Sequence, residues 1–351
     1  MPSVLTRREF IGRTTTGVAA LALVNGFRAQ AQTPSGMFVS LPPWAVARGV
    51  SYPDSARLAS KLGYAGIDNW GLQHAKDLGI EGAKAFFAEL KLRPHIMNIP
   101  GGAPWNGDDA AFQARLPQLE QDAAFCAAIG CRNFMVVLGA TSPTPKEERW
   151  KLVTTRLAAV SRILEKHNMR LGLEFLGPMS MRTGRGGGGA RGRGRDGAAP
   201  VTSGASAAPA PPAAPATPPA PPIVFVYTLK ETLQLAQESG PAIGAVMDFW
   251  HWHHSGGTIA DILAADPRRL VNVHISDARQ MPPEEVQDNM RLLPGEGVID
   301  LVGGLQALKK IGWQGGLCPE TIGPRLDNIP AEETAKLALD ATLGVMKKAA
   351  V

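Results

Sequence analysis

Four residues of metal-ligating type, Glu174, Asp248, His274 and Glu320, each close a short apolar run in the second half of the chain. The runs read Leu171-Gly172-Leu173-Glu174, Ala245-Val246-Met247-Asp248, Val271-Asn272-Val273-His274 and Leu317-Cys318-Pro319-Glu320. A short apolar run bounded by turn residues fits a buried strand. One polar strand end alone is ordinarily a solvated terminus; four on consecutive strands point to a shared site. Three carboxylates and one neutral imidazole suit a hard or borderline divalent ion, Mn2+, Mg2+, Co2+ or Zn2+, with positions left open for substrate oxygens. An ion that holds a carbonyl and its neighbouring hydroxyl stabilises an enediolate, so that a carboxylate can remove the adjacent C–H proton. Two carboxylates on opposite sides of the bound substrate can then take the proton from one face and return it on the other. Return of the proton on the same face to the next carbon moves the carbonyl instead.

These strand ends must be positioned by a repeating frame, and the rest of the chain supplies one. Strand-like runs occur at Met37–Leu41, Gly66–Trp70, Arg93–Ile99, Asn133–Leu138, Leu171–Phe175, Ile243–Asp248, Leu270–Ile275 and Gly315–Pro319. Amphipathic helical patterns lie between most of them, at Asp54–Leu62, Ala111–Ile129, Lys146–His167, Thr228–Glu238, Ala260–Ala265, Leu301–Ile311 and Ala331–Met346. Glycines in Gly63-Tyr64-Ala65-Gly66 and Ile311-Gly312-Trp313-Gln314-Gly315 stand where a helix should stop before the next strand. Eight strand–helix units predict an α/β fold, a (β/α)8 TIM barrel over 37–181 and 223–349, whose chemistry belongs at the carboxyl ends of the strands. No Gly-x-Gly-x-x-Gly follows the first strand and no Gly-x-x-x-x-Gly-Lys-Ser/Thr occurs, which argues against nucleotide binding.

Two appendages distort the composition. Gly (39) and Pro (29) are in excess for a chain of 351 residues. That excess collects in residues 182–222, an Arg-Gly tract followed by an Ala-Pro spacer with almost no large apolar side chains. Such a segment cannot offset the entropy of ordering itself and is expected as a disordered low-complexity insertion after the fifth strand. At the other end, Thr6-Arg7-Arg8-Glu9-Phe10-Ile11-Gly12 resembles a twin-arginine export signal. An apolar run from Val18 to Val24 and the small-x-small site Ala29-Gln30-Ala31 follow it. Residues 1–31 are therefore expected to be removed, leaving a periplasmic or secreted protein that was exported folded. Arginines in these two segments carry the net charge of +5, and the remainder is mildly acidic. That balance argues against nucleic acid as a partner, and the apolar run at 18–24 is too short for stable membrane insertion. Cys126, Cys131 and Cys318 make no disulfide framework and are expected as buried thiols.

At this point the series Glu, Asp, His, Glu resembles the xylose isomerase-like barrels, the sugar isomerases and epimerases that include the ketose 3-epimerases. The resemblance is carried by Leu-Glu-Phe at 173–175, by Asp248-Phe-Trp-His251 with Ser255-Gly256, by His274-Ile-Ser-Asp-Ala-Arg279, by Leu293-Pro-Gly-Glu-Gly297 and by Pro319-Glu320. It implies that Glu174, Asp248, His274 and Glu320 hold one divalent metal, with Glu174 and Glu320 doubling as the catalytic acid/base pair. It also implies that His251 and Arg279 contact substrate oxygens, and that the partner is a small-molecule sugar.

Other residues carry two readings. Trp70, Trp250 and Trp252, at or just beyond strand ends, either cover sugar C–H groups or pack in the core. His95 either points into the barrel mouth toward substrate or is a buried hydrogen-bonded histidine. Asp277 either orients His274 or serves a second metal, while His253 and His254 are expected in a solvated loop. After Glu174 the chain continues Phe-Leu-Gly-Pro-Met-Ser-Met, more apolar than a ketose 3-epimerase offers. That difference opens a second substrate class, a 3-keto-glycoside cleaved by the same enediolate chemistry. A non-catalytic carbohydrate-binding barrel is a third reading. An apurinic-site endonuclease is disfavoured by the chain's seven histidines and acidic body. The oligomeric state stays open.

Overall fold

In a computed structural model the described residues are 35–183 and 222–351. Eight parallel strands close into a barrel: β1 (Phe38–Leu41), β2 (Gly66–Asp68), β3 (Arg93–Asn98), β4 (Asn133–Leu138), β6 (Arg170–Phe175), β8 (Ile243–Asp248), β9 (Leu270–Ile275) and β10 (Gly316–Pro319). The circle is completed where β1 pairs with β10, Phe38 opposite Gly316 and Val39 opposite Leu317. The (β/α)8 barrel expected from the strand–helix rhythm is thus observed, with strand limits within two residues of the sequence reading.

β2 stops two residues before its expected end. Asn69 and Gly71 adopt positive φ values of 43° and 83°, and a left-handed backbone ends the ladder before Trp70. Strands buried on both faces read as unbroken apolar runs because helices cover the outside of the barrel. The interior is packed too: Ile96, Met135, Val246 and Val271 form an inner apolar cluster separate from the main strand–helix core. Gly172 of β6 is required by that density, since a Cβ there would lie 2.6 Å from Val246 Cγ2.

The helices end as their sequences direct. Ser51 caps the helix Tyr52–Leu62, and Gly63 closes it at φ 92°. The helix Leu72–Glu89 escapes the periodicity reading because Gly79, at φ 70°, breaks its pattern in the middle.

Two further strands, β5 (Thr141–Ser142) and β7 (Ile223–Val224), pair antiparallel above the barrel. They anchor the chain where it returns after β6, and the short helix Met179–Arg182 lies where it departs. The Arg182 guanidinium sits over the Tyr227 ring at 4.3 Å, which joins the two sides of that connection. Most of the 182–222 tract and all of residues 1–31 lie outside the described residues. Among the described residues no helix is long and apolar enough to cross a membrane, and Cys126, Cys131 and Cys318 are buried free thiols.

Candidate metal centre

Glu174, Asp248, His274 and Glu320 meet at the carboxyl end of the barrel. Register explains why: Asp248 pairs with His274 across β8 and β9, and His274 lies beside Cys318, two residues before Glu320, across β9 and β10. Each residue offers one ligand atom, and these atoms all lie within 4.8 Å of one another. All four side chains are fully buried. His274 Nδ1 is 2.8 Å from Glu174 Oε1 and 2.9 Å from Glu320 Oε2. Burial opposes a charge on His274. Cys318 and the carboxylates of Glu174 and Glu320 outweigh that penalty and raise its pKa well above the ordinary value.

The donor set fits a divalent cation. Three carboxylates confined this closely and shielded from water demand positive charge, and carboxylate oxygens with one imidazole are ligands that Mn2+, Mg2+, Co2+ and Zn2+ accept. The protein supplies part of that charge with Arg291. Its Nη1 donates to Asp248 Oδ2 at 2.6 Å and lies 3.3 Å from Glu320 Oε2, while its Nη2 donates to Asp288 Oδ1 at 2.7 Å. Burial works against this guanidinium, but Asp248, Glu320 and Asp288 hold its pKa well above the usual value.

The sequence model of the xylose isomerase-like TIM barrel family matches residues 56–190 and 217–347. The chain belongs to the xylose isomerase-like TIM barrel family. Inosose isomerases of Bacillus licheniformis and Bacillus velezensis are 34% and 36% identical to it over 106 residues. These matches span 30% of this chain and 38% of each relative. Among solved structures, a xylose isomerase domain protein from Alicyclobacillus acidocaldarius superposes with a TM-score of 0.71 at 24% identity, covering 89% of this chain and 99% of the other. The IOLI protein with a bound zinc atom gives a TM-score of 0.66 at 21% identity, and L-ribulose 3-epimerase 0.61 at 16%; both alignments cover 89% of this chain, with 99% and 95% of the other. Identities this low establish a shared fold.

Within this xylose isomerase-like barrel, the other sequence candidates separate. His251 comes to the centre: it is fully buried, its Nε2 faces Arg291 Nη2 at 3.2 Å, and Asp248 Oδ2 is 3.8 Å away. Asp248 holds the start of the helix Phe249–His254, accepting from the backbone N–H of Trp250 at 2.7 Å. Gly177 packs directly on the His251 carbonyl, where any Cβ would collide with it.

Arg279 does not come to the centre. It is exposed, and no hydrogen bond or ion pair joins it to the four residues. The cation that does is Arg291, which the sequence reading missed although it stands just before the Leu293-Pro-Gly-Glu-Gly297 motif. The reason is Asp277. Its two oxygens accept from the backbone N–H groups of Ala278, Gly295, Gly297 and Ile299, and with Leu292 bridged to Asp277 the whole loop folds back and carries Arg291 inward. Asp277 therefore neither orients His274 nor is free for a second metal.

Trp70 is buried with its ring 5.6 Å from Phe87, between β2 and the helix Leu72–Glu89, so the core-packing reading applies. Trp252 packs edge-on against Phe249 at 5.8 Å. Trp250 is buried beneath Arg291, whose Cζ lies 4.8 Å from its ring. His95 is the buried hydrogen-bonded histidine of the two readings, with Nε2 3.1 Å from Asn272 Oδ1, one inward-facing layer below His274. His253 and His254 are half-buried rather than solvated, because His254 stacks edge-on against Trp250 at 4.5 Å. A second residue missed by the sequence reading is Trp44, just after β1, whose Nε1 donates to Glu320 Oε1 at 3.3 Å.

Proposed function

We propose that this protein is a divalent-metal-dependent sugar isomerase or epimerase that moves a proton on the carbon next to a carbonyl of a ketose or keto-sugar. The observation that carries this reading is the convergence of Glu174, Asp248, His274 and Glu320 within 4.8 Å, all buried, on four successive strands of the barrel. The names of the relatives, inosose isomerase and L-ribulose 3-epimerase, agree with that class.

Glu174, Asp248, His274 and Glu320 would hold the ion. When bound, it supplies a Lewis acid that makes a C–H beside a carbonyl acidic enough for a carboxylate to remove. Glu174 and Glu320 come from β6 and β10, with β8 and β9 between them on the barrel. They therefore flank the centre from two sides, one taking the proton and the other returning it. The Trp44 indole N–H fixes Glu320 Oε1, which orients that carboxylate. Arg291 and His251 stand beside Asp248 and Glu320. A guanidinium stays charged at any working pH, so Arg291 holds positive charge next to the reacting oxygens of the sugar, and His251 keeps Arg291 in place. The helix Phe249–His254, with Trp250 and Trp252 buried, closes this side to water.

The test is deuterium exchange. Metal-loaded protein in D2O is offered ketoses, inososes and keto-glycosides, and NMR reads which C–H is replaced. Exchange at a carbon adjacent to a carbonyl, lost in Glu174→Gln and Glu320→Gln, supports the reading. Cleavage of the glycoside would assign the lyase class. Binding without exchange of any C–H would assign a carbohydrate-binding barrel and overturn the isomerase reading.

We also propose, from Thr6–Gly12, that the mature protein is periplasmic or secreted. Replacing Arg7 and Arg8 by Lys should retain the full-length precursor in the cytoplasm; unchanged export would reject the twin-arginine route.

A further inference from the structure

The barrel has a second opening, at the amino-terminal ends of its strands. Phe38, Arg93, Asn133 and Arg170 are the first residues of β1, β3, β4 and β6, and all four line a cavity of about 640 Å3 there. Its walls are apolar, with Phe87, Ile129 and Val271 among them, while Arg93, Arg132, Arg170 and Lys84 supply charge. No acidic residue is among its described lining.

Lys84 is answered on the rim by Glu81 at 2.8 Å. The three arginines are not answered by any described carboxylate. Arg132 donates to the His167 carbonyl at 3.1 Å, Arg170 to the Arg268 carbonyl at 2.9 Å, and Arg93 lies over the Phe38 ring at 4.5 Å. Carbonyls and a ring face orient a guanidinium without cancelling its charge. Burial lowers the pKa of the neighbouring His95 against the pull of Asp68 and Asn272, with Arg93 and Arg170 adding to the shift, so the ring beside the cavity is neutral and does not offset their charge. Arg93 and Arg170 are partly buried, and Arg132 is exposed at the mouth of the same cavity. Partly buried cations are ordinarily paired, and two that meet a third on one apolar cavity with no counter-ion among the described residues describe an anion site.

We propose that this amino-terminal cavity binds a small organic anion, a carboxylate carried on an aryl or short alkyl body. The carboxylate meets Arg93, Arg132 and Arg170, which offer planar forks suited to it. The apolar body lies against Phe87, Ile129 and Val271. A free sugar would leave its hydroxyls against those walls unpaired. The site is at the opposite end of the barrel from Glu174 and Glu320, and the proposal holds whatever the carboxyl-end chemistry is.

The experiment titrates the full chain with 4-phenylbutyrate, with the matching alcohol, and with inorganic phosphate, using calorimetry and ligand-observed NMR. The carboxylate should bind at least about tenfold tighter than the alcohol and than phosphate, a difference of about 1.4 kcal/mol. Arg93→Met with Arg170→Met should weaken it at least about tenfold. Because Arg170 also holds the Arg268 carbonyl and Arg93 packs on the Phe38 ring, Ala128→Trp is a second variant: Ala128 is exposed on the cavity rim, so an indole there obstructs entry without disturbing the core. Binding abolished by Ala128→Trp supports the proposal. No binding at millimolar carboxylate overturns it, as does equal binding of the alcohol or phosphate, or binding that survives both sets of substitutions.

Discussion

Arg291 donates to Asp248 Oδ2 at 2.6 Å, and both side chains are completely shielded from water. Asp248 is at once a candidate metal ligand, the cap of the helix Phe249–His254 and the partner of this guanidinium. Removing the cation leaves three carboxylates in a dry pocket with less compensation. Losing one partner of a buried pair costs about 3–5 kcal/mol. Arg291→Met should lower the Tm of the metal-free protein strongly and much of that loss should return on adding Mn2+ or Zn2+. The same change should tighten metal binding, since one competing positive charge is gone. Calorimetric titration with the metal checks the sign. Weaker metal binding in Arg291→Met would show that the guanidinium organises the ligands instead of competing for their charge.

Glu174 and Glu320 are exchanged for Gln to test the proton-transfer pair. Proton transfer by a placed side chain contributes about 10²–10⁴-fold, so each substitution should cut C–H exchange by that range. An amide oxygen still offers one ligand, and metal measured after desalting should fall by less than exchange does. Near-full exchange in Glu320→Gln would remove that residue from the pair.

The barrel and the four converging residues were legible because both rest on local pattern: apolar strand runs ending in a polar residue, spaced by one helix each. Arg279 and Arg291 show where local pattern stops. Both lie in the same long connection after β9. Which one reaches the centre depends on Asp277 gathering four backbone N–H groups from Ala278 to Ile299 and on the Asp277–Leu292 bridge. That is a non-local relationship with no periodic trace. Trp44 and Glu320 likewise come from opposite ends of the chain and become neighbours only because β1 pairs with β10. For Trp70 and His95 the sequence left two readings, and the layer each side chain enters was decided by strand register and by the left-handed turn at Asn69.

His254 should resist protonation. Burial lowers its pKa to about 3, helped by His253, His251 and Arg291, while in the unfolded chain it titrates at about 6.5. Between those values the unfolded state binds a proton that the folded state does not, so this residue makes stability fall as pH falls from about 6.5 toward 3. The apo protein shows this most plainly below about pH 6.5, where His274 is charged in both states and adds no slope. His254→Asn should therefore reduce the acid-side loss of stability, measured as denaturant midpoints at pH 7 and pH 5. An NMR titration of the native protein should show the His254 ring unchanged down to pH 5. A midpoint near 6.5 would mean that the ring is solvated and the Trp250 packing is lost in solution.

The connection after β6 offers the last test, because it joins the fold to the site. Its described ends are fixed: the helix Met179–Arg182 on one side, β7 paired with Thr141 and Ser142 on the other, and Arg182 over Tyr227 between them. Ser180 adds a hydrogen bond from its hydroxyl to the Val286 carbonyl at 2.6 Å. With the ends held by their own contacts, the residues between should matter to stability only through loop closure, about 0.6 kcal/mol per doubling of length. Deleting residues 184–221 and joining Thr183 to Pro222 by a few glycines should leave the Tm within a few degrees and the metal stoichiometry unchanged. The arginines removed with the segment would change activity only if they draw an anionic substrate, and that contribution would fade with added salt, since exposed charges are screened beyond about 10 Å at 0.1 M. A deletion variant that fails to fold or loses its metal would show that the segment supports the carboxyl face of the barrel, and that Glu174 is held in place by residues beyond Thr183.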